Sequence, residues 1–447
     1  MIYDIVIAGG GISGCMAAIA ASRLGAKTLL IDKHGFLGGT LTACGTGPMM
    51  SFHAGKKQVV RGITDEIVQN LVRKNLSTGH IFDTTGCTDS VTPFSAEGLK
   101  RELETAILES GGEVLYHTTI YETNCDASGI KSIKVCHSGG TDEIASKIFI
   151  DASGDGQLSF LAGAPTRLGR ESDGKCQPVT LNIRMNGIDI PKLRAYIKSS
   201  AEDFPEQAVD TTRIDKAPRL SVGGFDKIYD EATANNELNI PRKGVLFFET
   251  DVPGEIIINT TRVTNIDPTN PHDLTKAEIE ARRQASDLVR VLTSRAPGFE
   301  NAKLMYTGPA IGIRQSRQIV GKHILTGEEL LSCKRFEDVI AHGGYPVDIH
   351  SPDDEKVFAK RLKPGEYYDI PYCTMINEIP NLITVGRCIS ADFEAQSALR
   401  VSPIAGAIGH AGGVAAVICV KNSCIAADVP IKEVQSLLKQ QGAFLRI

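Results

Sequence analysis

The first 40 residues alternate apolar runs with glycine in a fixed order. The run YDIVIA (3–8) predicts a buried β-strand, and AAIAASRLG (17–25) has the composition of a helix. A second apolar run, TLLI, ends at Asp32. This order predicts a strand, a glycine loop, a helix and a second strand that ends in an acidic residue.

The glycines between the first strand and the helix predict a phosphate-binding loop. Gly9 permits a tight turn, Gly11 lets the backbone approach a pyrophosphate, and Gly14 lets the helix pack closely on the strand. The N–H groups and the dipole of the helix start attract phosphate charge. Asp32, 18 residues beyond Gly14, is placed to accept hydrogen bonds from a ribose. The unit therefore predicts a dinucleotide site, and a glycine-rich turn without a ligand is the alternative.

Periodicity further along the chain predicts more helices and strands. Residues 58–75 and 95–110 are amphipathic, and Ser95 is a plausible N-cap for the second helix. Three strand-like runs then follow at 113–123, 129–138 and 143–153. We expect these runs to form an antiparallel insert that returns to the first sheet.

Residues 177 to 300 have a different character. They contain strand patterns at 179–188, 244–252 and 255–263, and a charged helix at about 276–295. This segment is the natural candidate for a second domain that is built on an antiparallel sheet.

The length and composition are those of a globular protein with several lobes. The 447 residues exceed what one core usually holds, and 42% of them are apolar and 23% charged. A net charge of −5 gives no overall attraction to nucleic acid or to an anionic membrane. The apolar stretch 404–420 contains glycines and His410, and we interpret it as a buried helix rather than a membrane span, with His410 packed and hydrogen-bonded. We expect no signal peptide, because the first strand begins at the third residue.

The cysteines argue against a metal or disulfide centre. Eleven cysteines are dispersed along the chain without a C-x-x-C pair. This pattern argues against a redox-active dithiol, a zinc knuckle and a bacterial-type iron–sulfur cluster, and it fits a reducing compartment. We therefore predict no metal site and a cytoplasmic location.

Three more segments combine with the N-terminus into a recognisable set. They read IDASGDG (150–156), RQSRQIVGKHILT (314–326) and NLITVGRCISADFEAQSALRVSPIAGAIGHAGGVAA (381–416). Together they resemble the FAD-dependent oxidoreductase family related to the fumarate reductase and glutathione reductase flavoproteins, over almost the full chain. Members that bind FAD covalently carry a histidine soon after the double glycine, whereas Gly38-Gly39 is followed here by TLTACGTG. The resemblance therefore implies non-covalent FAD.

The resemblance also implies a fold and its division into domains. We expect an α/β protein with a Rossmann-like FAD-binding domain, whose parallel sheet carries an antiparallel insert, and a smaller α+β substrate domain on an antiparallel sheet. Residues 1–176 and 301–427 would form the FAD-binding domain, the second part with the active-site loop. Residues 177–300 would form the substrate domain, and 428–447 a C-terminal helix or tail.

Cofactor contacts follow from the motifs that match. Arg387 can offer charge to phosphate oxygens, and the helix that begins near Ser402 would direct its N-terminus toward the flavin. Asp155 is similar to the family's acidic contact near the ribityl–pyrophosphate section, and the alternative is that it caps the helix after Gly156. The expected cofactor residues are Gly9, Gly11, Ile12, Ser13, Gly14, Asp32, Lys33, Gly38, Gly39, Thr40, Gly154, Asp155, Gly386, Arg387, Val401 and Ile404.

Two arginines in the segment 314–326 are candidates for substrate binding. Arg314 and Arg317 could clamp an anionic or hydroxylated substrate, and we favour Arg314. The alternative is that they pair with carboxylates at the domain seam. Arg400 would face substrate or cofactor, or else form a salt bridge with Glu394 or Asp392.

A histidine supplies the candidate acid or base. His350 lies in YPVDIHSP, where a loop histidine would titrate near neutral pH. Tyr345 is the neighbouring candidate, with Asp348 nearby. The alternative is a surface-loop histidine that makes a backbone hydrogen bond.

These expectations lead to one main functional hypothesis and several alternatives. The leading hypothesis is an FAD-dependent oxidoreductase that transfers a hydride between flavin and a small organic metabolite: a polyol, a sugar derivative, or a hydroxy or unsaturated acid. The alternatives are a flavin electron-transfer subunit of a redox complex and a non-redox nucleotide-binding protein, and a monooxygenase is less favoured. A homo-oligomer or an electron-acceptor partner is compatible with the sequence.

Overall fold

The computed structural model describes residues 2–205 and 210–446, and its elements are numbered here in chain order. The N-terminal part contains β1 (Ile2–Ala8), α1 (Ile12–Arg23), β2 (Thr28–Ile31), β3 (Met49–Met50), β4 (His53–Ala54), β5 (Lys57–Gln58), α2 (Ile63–Arg73), β6 (Val91–Thr92), α3 (Ala96–Glu109), β7 (Glu113–Leu115), β8 (Thr119–Asp126), β9 (Gly129–His137), β10 (Gly140–Asp151), α4 (Gln157–Leu161) and β11 (Thr166–Leu168).

The middle part contains β12 (Ile183–Asn186), α5 (Ile190–Ser199), α6 (Thr212–Lys216), β13 (Ser221–Gly224), α7 (Asp226–Ala234), β14 (Val245–Glu249), β15 (Glu255–Ile258), α8 (Pro271–Arg295) and β16 (Lys303–Thr307). The C-terminal part contains β17 (Arg317–Ile319), α9 (Gly327–Leu331), β18 (Val339–Gly343), β19 (Val347–His350), β20 (Val357–Lys360), β21 (Tyr368–Pro371), β22 (Leu382–Thr384), α10 (Phe393–Leu399), α11 (Ser402–Asn422) and α12 (Ile431–Gln440).

A parallel sheet forms the centre of the first domain and confirms the predicted α/β class. β1 pairs in parallel with β2 on one side and with β10 on the other. β7 extends the sheet beside β2, and β22 pairs in parallel with β10, with Phe149 opposite Leu382. Because β22 comes from the C-terminal part, the two distant ends of the chain share one sheet.

The antiparallel insert is confirmed as well. β8, β9 and the first half of β10 form antiparallel pairs, and β10 then continues as a parallel partner of β1. Of the two helices predicted beside the sheet, α3 begins after Ser95, whose Oγ accepts a hydrogen bond from the N–H of Gly98 at 3.1 Å. The other helix, α2, starts at Ile63 instead of near residue 58, because Lys57–Gln58 is used in the short strand β5.

The second domain is built on an antiparallel sheet with the strand order β13-β14-β15-β12-β16. It has its own core, in which the rings of Phe225, Phe247 and Phe299 are fully buried and in contact. Three of its strands coincide with the predicted strand patterns, whereas β13 and β16 do not. The last strand, β16, reaches Thr307, so the sheet continues past residue 300.

Close contact between α1 and α11 holds the ends of the chain together. A Cβ on Gly409 would lie 2.0 Å from the carbonyl oxygen of Ser13, and one on Gly413 would lie 2.3 Å from that of Ala17. Glycine is therefore required where the two backbones cross. By length and composition, α11 is long and apolar enough to cross a membrane. However, 89% of its apolar 18-residue stretch is buried inside the protein. It is the buried helix that the sequence predicts.

Candidate active site

The loop between β1 and α1 presents free backbone at the start of a helix. Gly11 precedes α1 with φ −66° and ψ 173°, and no side chain of the described residues caps the helix. The first turn consists of the uncharged residues Ile12, Ser13 and Gly14. Its N–H groups have no acceptor within the helix, so they and the helix dipole can hold an anion.

The three glycines have different surroundings, as the phosphate-loop prediction requires. A Cβ on Gly9 would lie 2.6 Å from the carbonyl oxygen of Ala152, and one on Gly14 would lie 1.9 Å from that of Gly9. A Cβ on Gly11 would reach nothing closer than the Cα of Gly39 at 3.9 Å among the described residues. Gly9 and Gly14 thus serve packing, whereas Gly11 keeps open the space in front of the loop.

Asp32 lies beside this loop with both carboxylate oxygens engaged by backbone. The N–H of Gly10 donates to Oδ2 at 2.6 Å, and the N–H of His34 donates to Oδ1 at 2.7 Å. Each oxygen keeps a lone pair for a further donor. The N–H of Gly38 donates to the carbonyl oxygen of Gly10 at 2.9 Å, which holds Gly38, Gly39 and Thr40 next to the loop.

Arg387 connects two of the predicted cofactor segments. Its Nε donates to the carbonyl oxygen of Gly154 at 2.7 Å, and its Nη2 lies 2.7 Å from Oδ1 of Asp155. Among the described residues, α4 has Gly156 as its N-cap without a side-chain cap, so the alternative of Asp155 as a helix cap is wrong. Gly386, with φ +80°, turns the chain from β22 into this arginine.

A cavity of about 590 Å³ extends from these segments into the second domain. Its volume lies within the range of small-molecule sites. From the cofactor segments it is lined by Thr40, Arg387, Val401 and Ser402. It also brings together all four residues predicted for catalysis, namely Arg314, Tyr345, His350 and Arg400.

Asp348 is the common partner of three of these four residues. Its Oδ2 accepts a hydrogen bond from the hydroxyl of Tyr345 at 3.2 Å, lies 3.0 Å from Nη2 of Arg400, and lies 3.5 Å from Nε2 of His350. Burial raises the pKa of the Asp348 carboxyl, but the opposing effect of His350, Arg400 and Arg314 is greater and holds the pKa well below its usual range. Asp348 is therefore a fixed negative charge, and Arg400 pairs with it rather than with Glu394 or Asp392.

His350 differs from its expected setting in two ways. It lies on β19 rather than on a loop. Burial and the positive charge of Arg314 lower its pKa from 6.5 to about 3, so it is neutral at pH 7 instead of titrating there. Its Nδ1 lies 3.4 Å from Nη1 of Arg262, which can only donate, so Nδ1 is an acceptor and Nε2 carries the proton toward Asp348.

Arg314 lines the cavity with its charge unpaired. The side chain is almost fully buried, and its Nη1 donates to the carbonyl oxygen of Pro178 at 2.6 Å. Within the described chain, no carboxylate pairs with its guanidinium, so the alternative of a salt bridge at the seam does not hold for it. Burial, followed by Arg400 and Arg242, lowers the pKa of Arg314 to about 9. Arg317 lies elsewhere, with its Cζ 4.3 Å from the ring centroid of Phe160.

Two arginines of the site were not predicted. Arg262 is 2% exposed and donates from Nη2 to the carbonyl oxygens of Ser351 and Asp354 at 2.7 and 2.8 Å, which holds the chain that follows β19. Arg242 lines the cavity from the connection between α7 and β14. It lies in NIPRKG, where a solvated arginine is the default interpretation, and the sequence carries no signal that could have found it.

Comparison with known protein families decides the identity of the fold. A family model described as FAD dependent oxidoreductase matches residues 4–438. The chain belongs to the FAD-dependent oxidoreductase family. The predicted family, enzyme class and FAD cofactor are thereby confirmed.

Individual relatives of this flavoprotein are distant. It is similar to a dihydrolipoamide dehydrogenase from Chaetomium thermophilum, with 28% identity over 158 residues, which is 35% of this chain and 29% of that protein. A dihydrolipoyl dehydrogenase from Trypanosoma brucei brucei is 50% identical over 46 residues, or 10% of each chain. The matches thus span less than a third of the length of these relatives. A solved geranylgeranyl bacteriochlorophyll reductase-like protein from Thermoplasma acidophilum covers 98% of this chain and 83% of its own at 13% identity, with a TM-score of 0.47.

The residues of this flavoprotein fit FAD. The open face at Gly11 and the uncapped start of α1 would hold the pyrophosphate, and the lone pairs of Asp32 would accept ribose hydroxyls. Lys33 follows Asp32 and is exposed. Ser13 lies against Gly386, at which a Cβ would be 2.5 Å from its Oγ. Of the remaining predicted residues, Val401 lines the cavity and precedes α11, whereas the side chain of Ile404 is fully buried in the core.

Proposed function

We propose that this flavoprotein transfers a hydride between FAD and a carbon of a small organic acid. The observation that carries the proposal is the unpaired guanidinium of Arg314 in a cavity lined by the cofactor segments. Of the metabolite classes that the sequence leaves open, the hydroxy and unsaturated acids carry a negative charge. Polyols and neutral sugar derivatives would leave the buried Arg314 without an ion pair of its own, because the nearby Asp348 is paired with Arg400.

Arg314 would bind the carboxylate of the substrate. A guanidinium presents two parallel N–H donors that match the two oxygens of a carboxylate. The arginine is held in place from both ends, because its Nη1 donates to Pro178 and its carbonyl oxygen accepts from Nε2 of Gln396 at 3.0 Å. Little side-chain freedom is therefore lost when the acid binds.

His350 would handle the proton that accompanies oxidation of a hydroxyl group. FAD, when bound, supplies the two-electron acceptor or donor, and the protein supplies the acid or base. The single lone pair of Nδ1 of His350 faces Nη1 of Arg262 in a long 3.4 Å contact, so a substrate hydroxyl that donates to Nδ1 would replace that contact. Nε2 faces Asp348, whose charge would stabilise the imidazolium that forms. In the reverse direction, the imidazolium would donate this proton to the substrate.

Substrate binding would also increase the basicity of His350. After burial, Arg314 is the largest cause of its lowered pKa. A carboxylate bound to Arg314 neutralises that charge, so the pKa of His350 rises when the substrate is in place. Arg314 would thus bind the substrate and also keep His350 a weak base until the substrate is in place.

Anaerobic bleaching of the flavin tests the proposal. The holoenzyme is mixed with 2-hydroxy acids and with the corresponding alcohols that lack the carboxylate, and reduced enzyme is mixed with unsaturated acids. We expect at least one acid to change the redox state of the flavin and its uncharged analogue not to do so. Arg314→Gln should raise KM about 10- to 100-fold, and Arg317→Gln, outside the cavity, should behave as wild type.

Two outcomes would contradict the proposal. In one, alcohols react as fast as the acids, or the two arginine variants behave alike. In the other, no metabolite reacts but a reduced partner protein transfers electrons to the flavin, as expected for an electron-transfer subunit.

A further inference from the structure

The cavity contains more positive charge than one carboxylate can balance. Its charged lining consists of Arg242, Lys243, Arg314, Arg361, Arg387 and Arg400 against Asp226 and Asp348. Within the described chain, Arg387 and Arg400 have carboxylate partners at 2.7 and 3.0 Å, and Lys243 lies 3.9 Å from Glu355. Arg361 is exposed at its position after β20. Arg242 and Arg314 are the partly or fully buried cations of this lining that lack an ion pair among the described residues.

Arg242 comes from the second domain, whereas Arg314 comes from the C-terminal part. Arg242 follows α7 and precedes β14, and its guanidinium makes no hydrogen bond to the described residues. Burial lowers its pKa, and its charge is close enough to lower the pKa of Arg314 as well. The two cations therefore repel each other, and Asp348, the carboxylate whose charge acts on both, is paired with Arg400.

We propose that the substrate is a dianion, and that Arg242 is a specificity residue that binds its second anionic group while Arg314 binds the first. This inference rests on the proposed function and adds the substrate class to it. The second group is a carboxylate or a phosphate-type group, because the planar guanidinium recognises both in the same bidentate manner. A monoacid bound to Arg314 would leave Arg242 without an ion pair among the described residues, so the second group contributes affinity rather than chemistry.

Three probes of equal chain length test the proposal on the FAD holoenzyme. Butyrate carries one carboxylate, succinate carries two, and 3-phosphonopropionate replaces the second carboxylate with a phosphonate. Their dissociation constants follow from the change in the visible flavin spectrum on titration. We expect wild type to bind succinate or 3-phosphonopropionate about 10- to 100-fold more tightly than butyrate, and the tighter of the two identifies the second group.

The variants separate the roles of the two arginines. Arg242→Gln should weaken the binding of the dianions far more than that of butyrate and so remove the preference for the dianions. Arg242→Lys should retain part of the preference, because it keeps the positive charge but loses the planar guanidinium that donates two parallel hydrogen bonds. Arg314→Gln should weaken the binding of all three probes. FAD content and the circular dichroism spectrum of each variant show whether it has folded.

The failure of this inference differs from the failure of the proposed function. If wild type binds the three probes equally, or if Arg242→Gln weakens the binding of all three equally, the substrate is not a dianion. The proposal of an acid substrate is unaffected by that result. If Arg314→Gln leaves every probe unaffected, the proposed function itself is wrong.

Discussion

Nη2 of Arg400 lies 3.0 Å from Oδ2 of Asp348 and also donates to the carbonyl oxygen of Asp348 at 3.3 Å. Arg400 follows α10 directly before α11, and Asp348 lies on β19. This double contact fixes the strand that carries His350 against the segment that carries Val401, a predicted cofactor residue. The proposed acid–base group and the predicted cofactor segment are thus positioned by one ion pair.

Removal of the Asp348 charge should impair the chemistry more than binding. In Asp348→Asn the imidazolium of His350 loses its counter-charge, and we expect kcat to fall about 100-fold while KM for an acid does not rise. Steady-state kinetics with a substrate found by flavin bleaching measure both. Asp353→Asn is the matched control, because this exposed carboxylate pairs with Arg170 and Lys175 at 2.8 and 2.7 Å. Equal losses in both variants would contradict the assigned role.

His350 should remain neutral far below the ordinary titration range of a histidine. Burial and Arg314 lower its pKa to about 3, so the ligand-free enzyme should show no His350 titration between about pH 8 and about pH 5. Saturation with an anionic ligand should move the midpoint upward. NMR of labelled histidine, assigned with His350→Gln, measures this midpoint. A midpoint near 6.5 without ligand would show that the cavity charges do not act on His350.

His410 should make the protein less stable in mild acid. It is buried in α11 with Nε2 at 2.6 Å from Oε1 of Gln441, and burial lowers its pKa from 6.5 to about 4. The unfolded chain therefore binds a proton below pH 6.5 that the folded chain refuses until about pH 4. The contribution of neutral His410 to the free energy of unfolding is fully present above pH 6.5, and it is lost as the pH falls from 6.5 to about 4.

The effect of His410 can be isolated by comparison with a variant. We expect its contribution to the free energy of unfolding to fall by about 2 kcal/mol between pH 7 and pH 5. Denaturant unfolding of wild type and His410→Gln at both pH values measures it, and the variant should lose less stability than wild type. Identical losses would mean that His410 is not a neutral buried group.

An added methyl group in the glycine loop should separate folding from cofactor binding. Gly11 has an ordinary negative φ, and a Cβ there would make only an ordinary van der Waals contact with the Cα of Gly39 at 3.9 Å, so Gly11→Ala should fold with an unchanged melting temperature in the absence of FAD. The methyl group would occupy the approach to the pyrophosphate, and we expect FAD affinity to fall at least about 10-fold. Isothermal titration with FAD measures it. Gly14→Ala is the contrast, because its Cβ would lie 1.9 Å from the carbonyl oxygen of Gly9 and the fold itself should suffer.

The sequence predicts the strands and helices that form a continuous apolar run or a single apolar face, and it misses those that do neither. β1, α1 and β2 are apolar along most of their length, and nearly all of their residues are buried. Lys303 to Tyr306 in β16 are all exposed, so no alternation marks this edge strand. In β13, two of the four residues are glycine, which favours a turn in the sequence.

The sequence indicates which residues line the candidate active site, but it does not indicate which residues each of them contacts. Arg314, Tyr345, His350 and Arg400 were selected from motifs and residue type, and all four line the cavity. The partner of Arg400 could not be predicted, because Glu394 and Asp392 are nearer along the chain than Asp348. The lowered pKa of His350 depends on arginines that only the tertiary structure brings near it.

The central claim is that Arg314 binds the carboxylate of a substrate that exchanges a hydride with FAD. Its most direct test is the anaerobic rate constant of flavin reduction by a 2-hydroxy acid, measured by rapid mixing over a range of acid concentrations for wild type, Arg314→Gln and Arg317→Gln. We predict that Arg317→Gln matches wild type, and that Arg314→Gln needs about 10- to 100-fold more acid for half-maximal reduction. Superimposable concentration curves for the three proteins would contradict the account.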